Sequence, residues 1–379
     1  MNGQKYDAAV IGGGVIGSAT AYYLAKQGKS VILLENERLG AQASRAAAGM
    51  LAAQAEMDAD DPLFELAVAS RRMFPELAAE LKEYSGIDIG LQRKGLLKVA
   101  VNEAQAEELK RSVSLQIASG SRAEWLSGDE ARRLEKGLSE HVAGAIGFAE
   151  DGQVNAPELS FAFAKSAALL GAEIREYAEV RRIAAVNGRI EGVETRAGRI
   201  ACDQVAIAGG VWSGELLADL GIRLPLYPVK GEVFSVVHSV PLLTRVIFSH
   251  GCYLVPKQGG RLVVGATTRE GDYDRKVTVD GLLELMNKAQ RLLPGIAGCE
   301  WEKAWAGLRP QTPDGLPYLG RVEGLEGLYI AAGHFRNGIL LSPITGRLIA
   351  EMMAGSGAED ERLRPFRPDR FAEHERKGR

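Results

Sequence analysis

Apolar residues first gather in a short run from Tyr6 to Ile11, Y-D-A-A-V-I, which reads as a buried strand. A glycine turn follows, and then Ser18 to Lys26 place Ala, Tyr and Leu on one helical face. After Gly28-Lys29 a second apolar run, Ser30 to Leu34, stops at Glu35. This spacing predicts a strand-turn-helix-turn-strand unit of about thirty residues, which implies a parallel sheet. Helical periodicity resumes after Asp61-Pro62, through Leu63, Leu66, Met73, Leu77 and Leu81, to a stop at Gly86. From Gly95 the pattern predicts a strand, L-L-K-V-A-V, and a helix opened by the capping box Asn102-x-x-Gln105. A charge-rich segment runs to about Gly147, and Asn155-Ala-Pro157 then opens a helix that ends at Gly171. Two strands follow, E-I-R-E-Y and V-R-R-I-A-A-V, with the hairpin signal Asn187-Gly188.

A further parallel-type strand, Gln204 to Ala208, ends in Gly209-Gly210. Residues 226 to 269 instead alternate as antiparallel strands do, most clearly in Y-L-V-P and R-L-V-V-G-A-T. A helix from Asp280 to Leu293 stops at Pro294-Gly295. Two glycine- and proline-rich segments then lead to a final strand-turn-helix from Leu328 to Met353. The expected fold is α/β: a Rossmann-like nucleotide-binding domain from residues 1–88, 147–225 and 305–379, interrupted twice. The insertions, 89–146 and 226–304, would form an α+β substrate domain on a mostly antiparallel sheet, with a ligand cleft between the two domains.

Composition narrows the function classes. The chain has 379 residues, and 46 Lys+Arg against 49 Asp+Glu leave a net charge of −3, which gives nucleic acid nothing to hold. Cys202, Cys252 and Cys299 are too far apart for C-x-x-C pairs, so a reduced, cytoplasmic setting is expected. His141, His238, His250, His334 and His374 form no ligand pattern, and no metal is expected. The uncharged stretch Ala8 to Ala25 is interrupted by Gly12, Gly13, Gly14 and Gly17, so neither a membrane span nor a signal peptide is expected. The basic tail from Arg362 reads as a solvated terminus.

Gly12-x-Gly14-x-x-Gly17 sits between the first strand and helix, with Glu35 at the end of the next strand. Gly12 permits the turn, Gly14 lets a pyrophosphate approach the backbone, Gly17 lets helix and strand pack, and Glu35 accepts ribose hydroxyls. Gly28-Lys29-Ser30 imitates the end of a P-loop, but Tyr23 stands where that loop needs its first glycine. The motif does not separate FAD from NAD. Two other passages favour a flavin: the small-residue run S-R-A-A-A-G-M-L around Ser44, and A-A-G-H-F-R-N-G-I-L-L-S-P-I-T-G from Ala331 to Gly346. The second predicts a turn that points backbone N–H groups and a helix N-terminus at the electron-rich edge of a reduced flavin.

These passages, with V-A-I-A-G-G-V-W-S-G, P-V-K-G-E, C-Y-L-V-P and W-A-G-L-R-P-Q-T-P-D-G-L-P-Y-L-G, resemble the D-amino-acid oxidase family of flavoproteins, and within it the bacterial glycine oxidases. The resemblance runs from Tyr6 to about Phe371. It implies a non-covalent FAD, with pyrophosphate at Val15 and Ile16, ribose on Glu35 beside Asn36, and adenine against Val180. Flavin contacts are implied at Ala43, Ser44, Ala48, Gly49 and Met50, and along the turn His334, Phe335, Arg336, Asn337, Gly338, Ile339 and Leu340. Sarcosine oxidases resemble the chain around T-P-D but tether flavin to a cysteine just before it, where this chain has Gly307.

An amino-acid substrate needs a carboxylate anchor, and a guanidinium supplies one bidentately. Arg309 is the candidate: Pro310 after it favours extended backbone, and it matches the family's carboxylate arginine in W-A-G-L-R-P. Tyr253 matches a tyrosine that donates to the same carboxylate, and Arg336 a residue contacting substrate at the flavin turn. Spacing alone leaves both arginines open as structural ion-pair partners and Tyr253 open as a core tyrosine. The resemblance implies oxidation of glycine, and more weakly of sarcosine or small D-amino acids, by dioxygen. It also implies imine supply for the thiazole of thiamine, and a cytoplasmic homotetramer. The alternatives are a sarcosine or D-amino-acid oxidase, an amine dehydrogenase passing electrons to another acceptor, and a catalytically silent flavoprotein subunit.

Overall fold

A computed structural model describes residues 5–57, 60–118, 122–355 and 361–371. Of the tail from Arg362, expected to be solvated, residues 372–379 with His374 lie outside the described residues, whereas Leu363 and Phe366 are buried in the core and Arg370 is ion-paired with Asp314.

Two large sheets organise the chain. The first has eight strands, ordered along its main path as Tyr318–Arg321, Leu328–Ala332, Gly198–Ile207, Tyr6–Ile11, Val31–Leu34 and Glu173–Arg175. Every pairing from Leu328–Ala332 to Glu173–Arg175 is parallel, with Ile11 in register with both Ile207 and Leu34. All four residues of Val31–Leu34 are buried, as strands covered on both faces require. Gly198–Ile207 also extends into a hairpin through Arg189–Thr195 and Val180–Val186, turned by Asn187 and Gly188 at φ 49° and 77°. Both values lie in the left-handed region that an Asn-Gly turn supplies.

The first helix spans Val15–Lys26, so it starts three residues earlier than its apolar pattern predicts. The reason is a close crossing: a Cβ on Gly17 would stand 1.8 Å from the Gly12 carbonyl oxygen. Glycine therefore lets the helix begin right at the turn, and its N-terminus meets the strand ends. On its other side the helix crosses the last one, Gly338–Met353, where a Cβ on Gly346 would lie 2.7 Å from the Ala19 backbone. Apolar residues of both helices, with Phe163 and Leu81, fill the core on this face of the sheet.

The second sheet has nine strands and is antiparallel except where Val246–Ser249 runs parallel to Leu96–Ala100. Its longest ladder pairs Tyr227–Val237 with Glu300–Gln311, so the first glycine- and proline-rich segment after Gly295 is largely one strand of 12 residues. Pro310 is tolerated there because Glu300–Gln311 pairs with one neighbour alone and Pro310 lies near its end, opposite Pro228. The limits drawn from sequence at 146/147 and 304/305 fall inside Gly144–Phe148 and Glu300–Gln311, both strands of this sheet. Their ladder hydrogen bonds continue across those points. A two-stranded ribbon, Met50–Leu51 with Gly152–Gln153, carries too short a pattern for any periodicity to announce.

Candidate active site

A cavity of about 700 Å³ runs from the first glycine turn to the long antiparallel ladder. At its first end the chain leaves the strand at Gly12, φ 104°, where a Cβ would stand 2.4 Å from the Ala208 carbonyl oxygen. Gly14 differs. A Cβ there would meet only the Ser44 hydroxyl, at 3.3 Å, and Gly14 lines the cavity with Val15 and Ile16. The Val15 N–H donates to Ser44 Oγ at 2.9 Å. Glu35 also lines this end, with its carboxylate fixed by the N–H groups of Gly13 and Glu37 at 2.6 and 2.8 Å. Each oxygen keeps a lone pair for a ribose hydroxyl.

Asn36 and Val180 lie on the same stretch of wall, and Ala43, Ser44, Ala48, Gly49 and Met50 continue it. Gly49 has φ 82°, and a Cβ would stand 2.0 Å from the Val154 carbonyl oxygen, so the small-residue run is pressed against its neighbours. His334, Phe335, Arg336, Gly338 and Ile339 form the facing wall. His334 is buried with Nε2 3.1 Å from Thr345 Oγ1, and burial pushes its imidazole down to about 3, so it is neutral at physiological pH. Gly17, Asn337 and Leu340, expected as contacts, are not on the lining. Gly17 serves the helix crossing, and Leu340 is buried with its carbonyl accepting from Ser70 Oγ.

At the far end the structure brings Arg309, Tyr253 and Arg336 to one cavity. Arg309 projects near the end of Glu300–Gln311, donates to the Thr267 carbonyl at 3.2 Å and interacts electrostatically with the Tyr253 phenol. Burial pulls the Arg309 guanidinium below its usual range, while Tyr253 and Glu56 oppose that shift. Burial pushes the Tyr253 phenol up, so its hydroxyl is a donor at neutral pH.

Several residues here carry no local sequence signal. A Cβ on Gly231 would stand 2.3 Å from Arg309 Nη2, and one on Gly265 would stand 2.4 Å from the Tyr253 hydroxyl. These glycines form the floor on which both side chains lie. Thr267 is held in turn by Glu232, whose N–H donates to Thr267 Oγ1 at 2.9 Å. Glu56 is the other unforeseen residue, a carboxylate in the same wall as the two arginines. Gly231 stood within P-V-K-G-E, and that recognisable run was its one available signal.

A glycine cradle with an acidic residue at one end and a half-buried guanidinium at the other suits a dinucleotide cofactor with an anionic substrate. Residues 7–352 match the family model described as DAO, FAD dependent oxidoreductase. The chain belongs to the DAO family. It is 46% identical over 353 residues to a glycine oxidase of Geobacillus kaustophilus, covering 92% of this chain and 93% of that one. The crystal structure of glycine oxidase from that organism superposes with a TM-score of 0.93 at 45% identity, over 96% of this chain and 98% of the other. A bifunctional protein ThiO/ThiG of Synechocystis sp. is 35% identical over 375 residues, 96% of this chain and 54% of that longer protein. The cofactor of this DAO-family chain is FAD, and the open space at Gly14, the pinned Glu35 and the helix N-terminus at Val15 fit its dinucleotide. Among the described residues no cluster of three metal-ligating side chains occurs, and no helix is long and apolar enough to cross a membrane.

Proposed function

We propose that the protein oxidises glycine to glyoxylate, ammonia and hydrogen peroxide, taking sarcosine and small D-amino acids less well. The observation that carries this reading is Arg309 with Tyr253, a half-buried carboxylate anchor at the end of the cavity opposite the dinucleotide cradle. When bound, FAD supplies a hydride acceptor that dioxygen reoxidises. The chain's own part is to bind and orient. Arg309 and Tyr253 grip the carboxylate, and the Arg336 backbone at the facing turn is placed to receive the amine. Neutral His334 adds no charge beside that turn. The α-carbon loses its hydride as the lone pair of the unprotonated amine forms the C=N bond, so no general base is required to take a proton from carbon. Water then converts the imine to the oxo-acid.

Non-covalent attachment is part of the same reading. Gly307 lines the cavity where a tethering cysteine would stand. Cys252 also borders the cavity, which its distance along the chain did not suggest, and burial pushes its thiol up to about 12. It is therefore a protonated thiol rather than a reactive thiolate at neutral pH. Purified protein is expected to be yellow and to release intact FAD into the supernatant on acid denaturation; colour retained in the pellet would contradict this.

The ThiO/ThiG relative is consistent with glycine-imine supply for thiamine's thiazole as the role of this activity. The homotetramer is proposed on resemblance, the cytoplasmic setting on the widely spaced cysteines, and the two-domain division on the change from parallel-type to alternating strand patterns along the chain. Oxygen uptake with glycine and no added acceptor, with one peroxide formed per oxygen, tests the oxidase against the dehydrogenase reading. Anaerobic bleaching by glycine without oxygen uptake would make the protein a dehydrogenase. Gly231→Ala is expected to fold and keep FAD, because the new methyl meets the movable tip of Arg309 rather than backbone. By displacing that tip it should raise the glycine KM about tenfold, a change worth ~1.4 kcal/mol. An unchanged KM in steady-state assays would remove Arg309 from the anchor.

A further inference from the structure

Glu56 closes a single helical turn, Ala53–Glu56, that a buried network holds against the cavity wall. Asp151 accepts the N–H groups of Gln54 and Ala55 at 3.4 and 3.2 Å, and is itself ion-paired with Arg71. Arg71 also donates to Gln54 Oε1 at 2.8 Å. This network fixes the backbone from which Glu56 projects. The Glu56 side chain is only 5% exposed, lines the cavity, and has no hydrogen-bond partner on Oε2. Its nearest cation is Arg336, whose Nε lies 3.6 Å from Oε2, an ion pair without hydrogen-bond geometry. Burial pushes its carboxyl up, while Arg336, Arg309 and Lys98 draw it toward the ionised form and Asp151 opposes them.

A carboxylate without a hydrogen bond beside an anion-binding site opposes the binding of that anion, and its desolvation is costly. Charge counting gives it a use. Taken as the carboxylate that Arg336 at 3.6 Å favours, Glu56 brings one negative charge against the two positive charges of Arg309 and Arg336 on this part of the lining, leaving one positive charge for one substrate carboxylate. We propose that Glu56 is a specificity-determining residue: it offsets Arg336 and repels a second carboxylate, so the site admits monocarboxylate amines and disfavours dicarboxylates. Inside a cavity walled by protein such like-charge repulsion is screened less than in bulk water, and rejection of this kind sets specificity as directly as attraction does. The inference rests on reading the Arg309 end as the carboxylate site.

The test compares holoenzymes of the wild type, Glu56→Gln and Glu56→Ser, which remove the charge, and Glu56→Asp, which keeps it. Iminodiacetate, which is glycine carrying a carboxymethyl group on nitrogen, is assayed against glycine by oxygen uptake. Malonate is titrated against acetate through the visible flavin spectrum, which needs no turnover. Removing the charge should raise the ratio of dicarboxylate to monocarboxylate about tenfold or more in both assays. The Asp variant should stay near the wild-type ratio. A ratio unmoved in Gln and Ser, or one raised equally in Asp, overturns the proposal, the latter because space rather than charge would then decide. If the wild type oxidises no glycine but the binding ratio shifts as expected, the glycine reading falls and the charge filter stands.

Discussion

Gly14→Val protein is expected to fold and to leave purification colourless, with flavin binding lost rather than weakened. A side chain at this position would occupy the space through which the pyrophosphate approaches the backbone. The structure separates this effect from damage to the fold. A Cβ at Gly12 or Gly17 would stand 2.4 or 1.8 Å from a backbone carbonyl oxygen, so substitution there must shift the strand-helix crossing itself. Gly14 has only the Ser44 hydroxyl within reach, at 3.3 Å. Circular dichroism should therefore match the wild type, while absorbance near the flavin bands disappears. Thermal stability should fall toward that of flavin-stripped wild type, because a ligand that binds only the folded state adds its binding free energy to stability. Full flavin occupancy in the Val variant would place the dinucleotide elsewhere.

What could be read from sequence follows from how local each signal is. The glycine turn, the Asn187-Gly188 hairpin and the apolar runs of the parallel strands are set by neighbours in the chain, and the structure forms all of them. The first helix was legible in type but not in its start, because Val15 to Gly17 become helical only through the contact of Gly17 with Gly12. The strand Glu300–Gln311 was hidden for a related reason. Its Gly307 and Pro310 argue against a strand in isolation, and the ladder with Tyr227–Val237 overrides them.

The site divides in the same way. Arg309 could be named because a motif surrounds it, whereas Gly231 and Gly265 matter only because the fold lays Arg309 and Tyr253 across them. Glu56 is further from any signal, since what makes it unusual is burial beside Arg336 at a sequence distance of 280 residues. Asn337 and Leu340 show the converse. They sit inside a recognisable turn, yet the helix beginning at Gly338 carries Leu340 into the core and away from the cavity.

Arg309→Met should give the largest loss on the substrate side. The guanidinium is half-buried, held by the Thr267 carbonyl beside Tyr253, and is the cation that Glu56 leaves unmatched at the cavity end. Methionine keeps roughly the length of the side chain and removes its charge and donors. A substrate carboxylate entering such a site meets Tyr253, while Arg336 and Glu56 offset each other and leave no net positive charge for it. Removing one partner of a buried, hydrogen-bonded charge pair costs about 2–5 kcal/mol, which is roughly 30-fold to several-thousand-fold in kcat/KM if binding carries the effect. FAD should remain bound, because Arg309 is remote from Gly14 and Glu35 along the cavity. The loss should shrink for an amine that has no carboxylate, since that substrate never used the guanidinium. Oxygen uptake with glycine and with such an amine measures both quantities. A kcat/KM for glycine near the wild-type value would mean that the carboxylate is held by another group, with Arg336 the next to test.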